Sequence, residues 1–327
     1  MEDPCFNISG LLLDNLYILE SKICTGFSSK VYRVKNSFTE NEYIAKIFNK
    51  NKVSSWENEI KYNEIISKFQ NPFFIQYISS STGLLEKDGS KRYMCNYIIF
   101  ELASKGSIYD YIKYNNTGFN ETICKVIFFK ILNAIQALHN IGISHRNLNI
   151  NNILLDENFN IKISNFGHSS FIKGEKGQNS RNDNFISFSD IIPVDKRLKY
   201  SGDIFNLGVI LFNLGTGKIP FPKDSCKNNG NINSNFYKFI ENKKFDKFWK
   251  LLEINGTIKG LSQEFKNLFI RMVSKDPLER PNIEEIFNDD WMKEISCLNE
   301  KDFKSYEQLM IEEFKKRESI INNTIKK

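Results

Sequence analysis

The run HRNLNINNILL, residues 145–155, decides how this chain is read. It is polar except for Leu148 and Ile150 until it turns apolar at Ile153-Leu154-Leu155. Ten residues after Leu155 comes Asn165-Phe166-Gly167, led in by Ile161-Lys162-Ile163. The two apolar triplets, Ile153–Leu155 and Ile161–Ile163, read as short strands. Upstream, Glu121–His139 carries Val126, Phe129, Ile131, Leu132, Ile135 and Leu138 near helical spacing and reads as a long amphipathic helix. The run is therefore a polar loop between a long helix and two short strands.

Working outward, the chain separates into zones. Residues 1–15 read as an N-terminal extension. Residues 16–101 read as a strand-rich lobe, with alternating segments at Leu16–Ile23, Lys30–Lys35, Asn41–Phe48 and Tyr93–Phe100. One helix, roughly Ser54–Phe69, interrupts them and is closed by Asn71-Pro72. Residues 102–296 read as a larger, mostly helical lobe, with a buried helix expected at Asp203–Leu214. Residues 168–190 read as a long loop and 222–235 as a polar surface insert. A charged helical tail, 297–327, places Phe303, Tyr306, Leu309, Met310 and Phe314 loosely on one face. It reads either as a helix packed on the larger lobe or left solvated, or as a partner-binding one.

Composition narrows the classes. A chain of 327 residues with 41% hydrophobic content can fold, near the size limit of a single core. Three His and six Cys without a C-x-x-C spacing argue against a zinc site, a disulfide framework or a thioredoxin-like motif. No 18-residue apolar stretch occurs, so no membrane span is expected. The first ten residues lack the pattern of a secretory signal, and scattered cysteines fit a reducing cytosol. The net charge of +6 comes from interspersed Lys and Glu rather than a basic block, so no nucleic-acid partner is expected. Forty residues are Asn, which makes any one Asn hard to interpret.

The loop and the triplet after it resemble the protein-kinase catalytic loop H-R-D-L-x-x-x-N and the metal-binding D-F-G, at matching spacing. Tyr43-Ile44-Ala45-Lys46 is similar to the V-A-I-K strand, and Phe100-Glu101-Leu102-Ala103 to the gatekeeper and hinge. Asp203–Gly208 resembles the helix whose Asp supports the loop, and Asp276–Pro281 the late Arg motif. The resemblance covers roughly residues 16–296 and is closest to calcium/calmodulin-kinase-like Ser/Thr kinases. It implies an α+β, bilobal fold, with a small antiparallel sheet and one helix in the first lobe and mostly helix in the second. It also implies an ATP site. Lys46 would bridge the phosphates and a helix Glu, beneath a roof containing Gly26. Val31 and Ala45 would cover the adenine, Leu154 would lie below it, and Glu101 and Ala103 would line the hinge. A gapless count puts Tyr62 at the helix Glu position, while Glu59 lies one turn earlier on a similar face; Glu59 is preferred. His145 would pack its ring on Phe166. His139 and His168 carry no partner pattern and read as incidental.

The departures from the family pattern concern chemistry. Where the family has its loop Asp and its metal-binding Asp, this chain has Asn147 and Asn165. An amide is no general base, and it gives Mg²⁺ no negative charge. Asn152, the remaining metal position, is neutral. The usual Lys-Pro-Glu is Asn149-Ile150-Asn151, and one glycine of three survives in Cys24–Val31. Phe188-Ser189-Asp190 is the best counterpart of A-P-E, so Asp190 would pair with Arg280. In the family Arg146 would receive the activating phosphate; Ser180 and Ser187 are the candidate carriers, but the favoured reading of both is an unmodified polar loop residue.

The expectation is a pseudokinase with protein partners, ATP weakly bound and Mg²⁺ poorly held. Two alternatives stay open. One is an atypical active Ser/Thr kinase with carboxylates brought in from Glu157, Glu175 or Asp183. The other is an interaction domain that binds no nucleotide.

Overall fold

Strand alternation and turn-forming Asn residues build the first part of the chain. The computed structural model describes residues 10–49, 51–87, 91–171, 200–221, 236–254 and 260–325. The chain divides into two compact units. The first comprises Met1–Ser104 with Ser164–Ser169, the second Lys105–Ile163 with Ser170–Lys327.

In the first unit, β1 (Leu12–Leu13), β2 (Tyr17–Thr25), β3 (Ser29–Asn36), β4 (Glu42–Phe48), β5 (Tyr77–Lys87) and β6 (Lys91–Glu101) are antiparallel. They follow the order β1-β2-β3-β4-β6-β5 and close into a barrel where β1 meets β5. Leu13, Leu19, Tyr32, Val34, Ala45, Tyr97 and Ile99 fill it. Helix α1 (Val53–Ser67) lies between β4 and β5. The β3–β4 turn is held by Asn36, whose Oδ1 accepts from the backbone N–H of Phe38 and Thr39, the local bonding that favours Asn in turns.

Two features depart from the sequence reading. Strand β5 was not expected, because Ser79-Ser80-Ser81-Thr82-Gly83 hides the alternation. Strand β1 lies inside the stretch 1–15 set apart above as an extension. Asp14, next to it, accepts from Leu84 N–H and from Tyr97 O–H, each at 2.7 Å, and so ties the closing strand to β5 and β6. A Cβ at residue 83 would overlap the Asp14 carboxylate, so a larger residue there would push that side chain out of its two bonds.

The second unit is mainly helical. Helix α2 (Ile108–Lys113) starts at a capping box made by Ser107 and Asp110. Helix α3 (Glu121–Asn140) is N-capped by Asn120, whose side chain accepts from Ile123 N–H. The helix is long and apolar enough to cross a membrane, but 61% of that stretch is buried within the fold, as in a core helix. There follow β7 (Ile143–Ser144), a 3₁₀ turn at Ile150–Asn152, β8 (Ile153–Leu155), β9 (Ile161–Ile163) and β10 (Ser170–Phe171). Strand β8 pairs with β9, and β7 with β10. Helix α4 (Ser201–Thr216) is buried along most of its length. It packs on α7 (Gln263–Met272), where a Cβ on Gly208 would lie 2.8 Å from Val273 Cγ1. Between and beyond these lie α5 (Phe236–Glu241), α6 (Phe245–Ile254), α8 (Ile283–Phe287) and α9 (Lys293–Ser296).

The tail forms α10 (Glu300–Ile325) and packs on α2 and α3. Met310, Phe314 and Arg317 are buried, whereas Leu309 is exposed. The insert 222–235 and most of the 168–190 loop fall outside the described residues.

Candidate functional site

The first unit brings together Lys46, Glu59 and Asn165. Directly opposed residues on neighbouring strands share a face of the sheet. Lys46 lies opposite Val31 on β3 and Ile98 on β6, so these three side chains share one face. Ala45 takes the other face and is fully buried in the barrel core. The expected place for Ala45 over a bound ring is thereby corrected. Side chains alternate along a strand, so it is Ile44, two residues before Lys46, that shares the lysine's face.

Lys46 Nζ donates to both carboxylate oxygens of Glu59 at 2.6 Å. Glu59 comes from α1 and its side chain is 3% exposed, against 13% for Lys46. Of the two helix positions weighed above, Glu59 faces the lysine, and Tyr62 is buried elsewhere on the helix. Lys46 Nζ also donates to Asn165 Oδ1 at 3.1 Å.

Asn165 has φ +69°, a left-handed conformation that Asn tolerates better than most residues. The segment after it is anchored. Phe166 is fully buried and meets the edge of Phe74 at 5.8 Å, while Gly167 O accepts from Asn58 Nδ2 at 2.6 Å. A Cβ on Gly167 would lie 2.8 Å from Glu59 Oε2, so a side chain there would disturb the ion pair. Asn58 belongs to none of the motifs quoted above, whereas Ile44 stands in the Tyr43-Ile44-Ala45-Lys46 strand next to the residue expected to cover the ring.

Gly26 sits in the exposed β2–β3 turn, with its N–H bonded to Ser29 O at 2.8 Å. Val31 is half-buried, as are Glu101 and Ala103. Glu101 exchanges bonds with Gln76: its N–H donates to Gln76 O, and its Oε1 accepts from Gln76 N–H.

The second unit organises the polar loop around Asp203, which is fully buried in the first turn of α4. Asp203 Oδ2 bonds His139 Nε2 at 2.9 Å and accepts from Ser144 O–H at 2.9 Å and His145 N–H at 2.8 Å. Asp203 Oδ1 accepts from Arg146 N–H at 2.7 Å. Arg146 is thereby held at φ +64°. Burial by itself would raise the Asp203 pKa. The His139 bond and charge, His145 and the Arg146 N–H outweigh it and hold the carboxyl below its ordinary value.

The reading of His139 as incidental is corrected. Besides its bond to Asp203, its ring stacks on Tyr200 at 3.8 Å, and its carbonyl accepts from Tyr200 O–H at 2.7 Å. His145 is fully buried.

Asn147 is half-buried at the centre of the loop. Its N–H donates to His145 Nδ1 at 3.3 Å, and its carbonyl accepts from Asn149 Nδ2 and Asn152 Nδ2 at 3.2 and 2.8 Å. Leu154 is half-buried in β8 and bridges to Ser107. Arg280 is buried and donates to Ser274 O and Ser201 O, and burial pulls its guanidinium down to about 10. Its expected partner Asp190 lies outside the described residues, as do Ser180, Ser187, Glu175 and Asp183. Glu157 is exposed in the turn after β8. Among the described residues, no three His, Cys, Asp or Glu side chains cluster as a metal would require.

This network carries a pH prediction. Because the folded pKa of Asp203 is depressed, its contribution to stability is complete above the unfolded value near 3.8 and is lost as pH falls through the folded one. Asp203→Asn is expected to cost about 3–5 kcal/mol at neutral pH and to flatten the acid limb of a Tm-against-pH curve. An unchanged acid limb would show that Asp203 does not govern it.

Residues 17–292 match the profile described as protein kinase domain. A human SNF-related serine/threonine-protein kinase is 27% identical over 288 residues, covering 86% of this chain and 34% of the relative. A probable serine/threonine-protein kinase 2 of Plasmodium falciparum is 30% identical over 233 residues, covering 68% of this chain and 42% of the relative. The probable serine/threonine-protein kinase MARK-B of Dictyostelium discoideum is 27% identical, covering 84% and 36%. The chain thus spans between a third and a half of the length of these relatives.

Proposed function

The chain belongs to the protein kinase domain family, and from that premise we propose that it is a catalytically impaired member, a pseudokinase that acts as a signalling scaffold or allosteric partner of other proteins. The observation that carries this reading is the pair Asn147 and Asn165, standing where the family uses two carboxylates. One carboxylate takes or orients the proton of the attacking hydroxyl, and the other holds Mg²⁺ on the phosphates.

Protein kinase domains generally bind ATP and Mg²⁺. A hard cation needs anionic oxygen, and neither Asn supplies it. Asn165 turns its amide oxygen to the Lys46 ammonium. The residues present therefore do not fit Mg²⁺ in the family manner. They do suit a nucleotide. Lys46 is oriented by Glu59 as a phosphate-binding lysine would be, and Val31 and Ile44 share its face as apolar cover. Binding would be weak, because a single glycine, Gly26, remains in the roof and backbone N–H groups approach phosphates best from glycines. The free cysteines Cys95, Cys124 and Cys297 suit a cytosolic setting.

The test is phosphotransfer by purified protein with ATP and Mg²⁺ or Mn²⁺, on itself and on protein substrates. The expected rate is indistinguishable from that of a Lys46→Met variant. Turnover in the family range of about 1–100 s⁻¹, abolished by Lys46→Met, would overturn the reading.

A further inference from the structure

A ring of side-chain bonds runs through Lys46. Its Nζ donates to both oxygens of Glu59 at 2.6 Å and to Asn165 Oδ1 at 3.1 Å. The ring is completed from α1, where Asn58, the residue before Glu59, donates from Nδ2 to Gly167 O at 2.6 Å. A carbonyl only accepts, so the Asn58 atom facing it is the amide nitrogen. Gly167 also lies against the carboxylate itself, since a Cβ there would come within 2.8 Å of Glu59 Oε2. Adjacent residues of α1 thus meet the same glycine, one by a hydrogen bond and one by contact. The start of α1 has no side-chain cap and no acidic residue in its first turn, features that would otherwise steady a helix N-terminus. Trp56 Nε1 ties this part of the helix to Tyr97 O on the sheet at 3.2 Å. The Asn58 bond supplies the tie on the side that faces Gly167.

We propose that Asn58 is a positioning residue for Lys46: by holding α1 to the backbone at Gly167 it keeps Glu59 against the lysine before any nucleotide binds. The chain of cause runs from the Asn58 amide to α1, from α1 to the Glu59 carboxylate, and from there to the ammonium. Bonds that share partners in this way support one another, so loss of one loosens the others. A neutral hydrogen bond shifts the balance between docked and undocked α1 by about two- to tenfold. The consequence for binding rests on the nucleotide-binding part of the function proposed above. A lysine held in place beforehand needs no ordering when a phosphate reaches it, so affinity should fall by a similar factor when Asn58 is lost.

The test reads Lys46 directly, without nucleotide. The full chain is treated briefly with a water-soluble amine-acetylating reagent, and labelling at each lysine is quantified by peptide mass spectrometry. Lys130 serves as the reference, because its side chain is 11% exposed, against 13% for Lys46, and it is paired with Glu307 in the second unit. In the parent, Lys46 should label about as slowly as Lys130 and far more slowly than the exposed Lys22. Asn58→Leu keeps the size of the side chain but removes the donor, and it should raise labelling at Lys46 about two- to tenfold relative to Lys130. A general loosening of the fold would move both lysines together, so a rise confined to Lys46 marks positioning. If Asn58→Leu labels as the parent does, the role is overturned. If the variant does not fold, the parent decides: Lys46 labelling as fast as Lys22 would show that the pair is not held before nucleotide and would overturn the proposal. Calorimetric titration with ATP tests the link to binding, with Asn58→Leu expected about two- to tenfold weaker than the parent. Equal affinities would overturn that link while the labelling result stands. A parent that binds no ATP would overturn the nucleotide-binding part of the function and leave the positioning of Lys46 to the labelling.

Discussion

Changing Asn147 and Asn165 together to Asp is expected to raise phosphotransfer at least about a hundredfold above the parent, whereas either change alone stays at background. A general base contributes typically about 10²–10⁴ in rate, and residues that act as a unit are far from additive. A base without a metal-positioned phosphate has little to act on, and the converse also holds. The scaffold around both positions is in place. Asp203 fixes the backbone at His145 and Arg146, and the Asn149 and Asn152 amides close on the carbonyl of Asn147. Asp occupies the left-handed region about as readily as Asn, so residue 165 can keep its φ of +69°. There it would gain an ion pair with Lys46, now 3.1 Å from the amide oxygen. A radiometric assay of the parent, both single variants and the double variant measures this. If the double variant stays at the level of the parent, these two amides do not carry the impairment. The cause would then lie in the Asn149-Ile150-Asn151 stretch or the glycine-poor turn at Gly26.

What the sequence made legible follows from how far each pattern runs. The hairpin β8–β9 was read to the residue, and α3 and α4 to within two, because their apolar spacing is unbroken. Strand β5 was missed because Ser79 to Gly83 gives no alternation. Strand β1 was missed because two residues are too few to show a period, although they close the barrel. The Ala of the motif points to Ala45, whereas side-chain alternation along the strand, counted by two from Lys46, leads to Ile44. His139 looked incidental because its partner Asp203 is 64 residues away in sequence and is brought to it only by folding. The abundance of Asn was set aside as uninformative, yet Asn36, Asn120 and Asn282 hold a turn and two helix starts through their side chains.

The other large effect is expected at the tail. Phe314→Ala should destabilise the second unit by about 3–5 kcal/mol. Its ring is fully buried, stacked on Phe159 at 5.9 Å and set edge-on to Tyr111 and Phe119 at 5.0 and 5.5 Å. Phe159 has φ +62°, which a bulky residue adopts only where its surroundings hold it, and the ring of Phe314 is part of that hold. One turn along α10, Arg317 donates to the carbonyls of Tyr111, Thr117 and Gly118, pairs with Glu313 and covers the Phe119 ring at 3.9 Å. Arg317→Ala would strand these buried carbonyls at a cost of about 2–4 kcal/mol. Arg317→Lys would not rescue it, because a single ammonium cannot reproduce the planar fork that serves acceptors lying apart. At roughly 2–4 °C per kcal/mol for a unit of this size, these losses should lower Tm by about 6–20 °C for Phe314→Ala and about 4–16 °C for Arg317→Ala. Phe314 and Arg317 share Tyr111 and Phe119, so the double variant should fall short of the sum. Removal of residues 300–327 with a Tm change under about 2 °C would show instead that α10 is dispensable to the fold. A helix whose Phe314 and Arg317 are sealed against α2 and the loop after it cannot offer that same face to another protein, so any partner of the tail must engage its outer face or first pull it away.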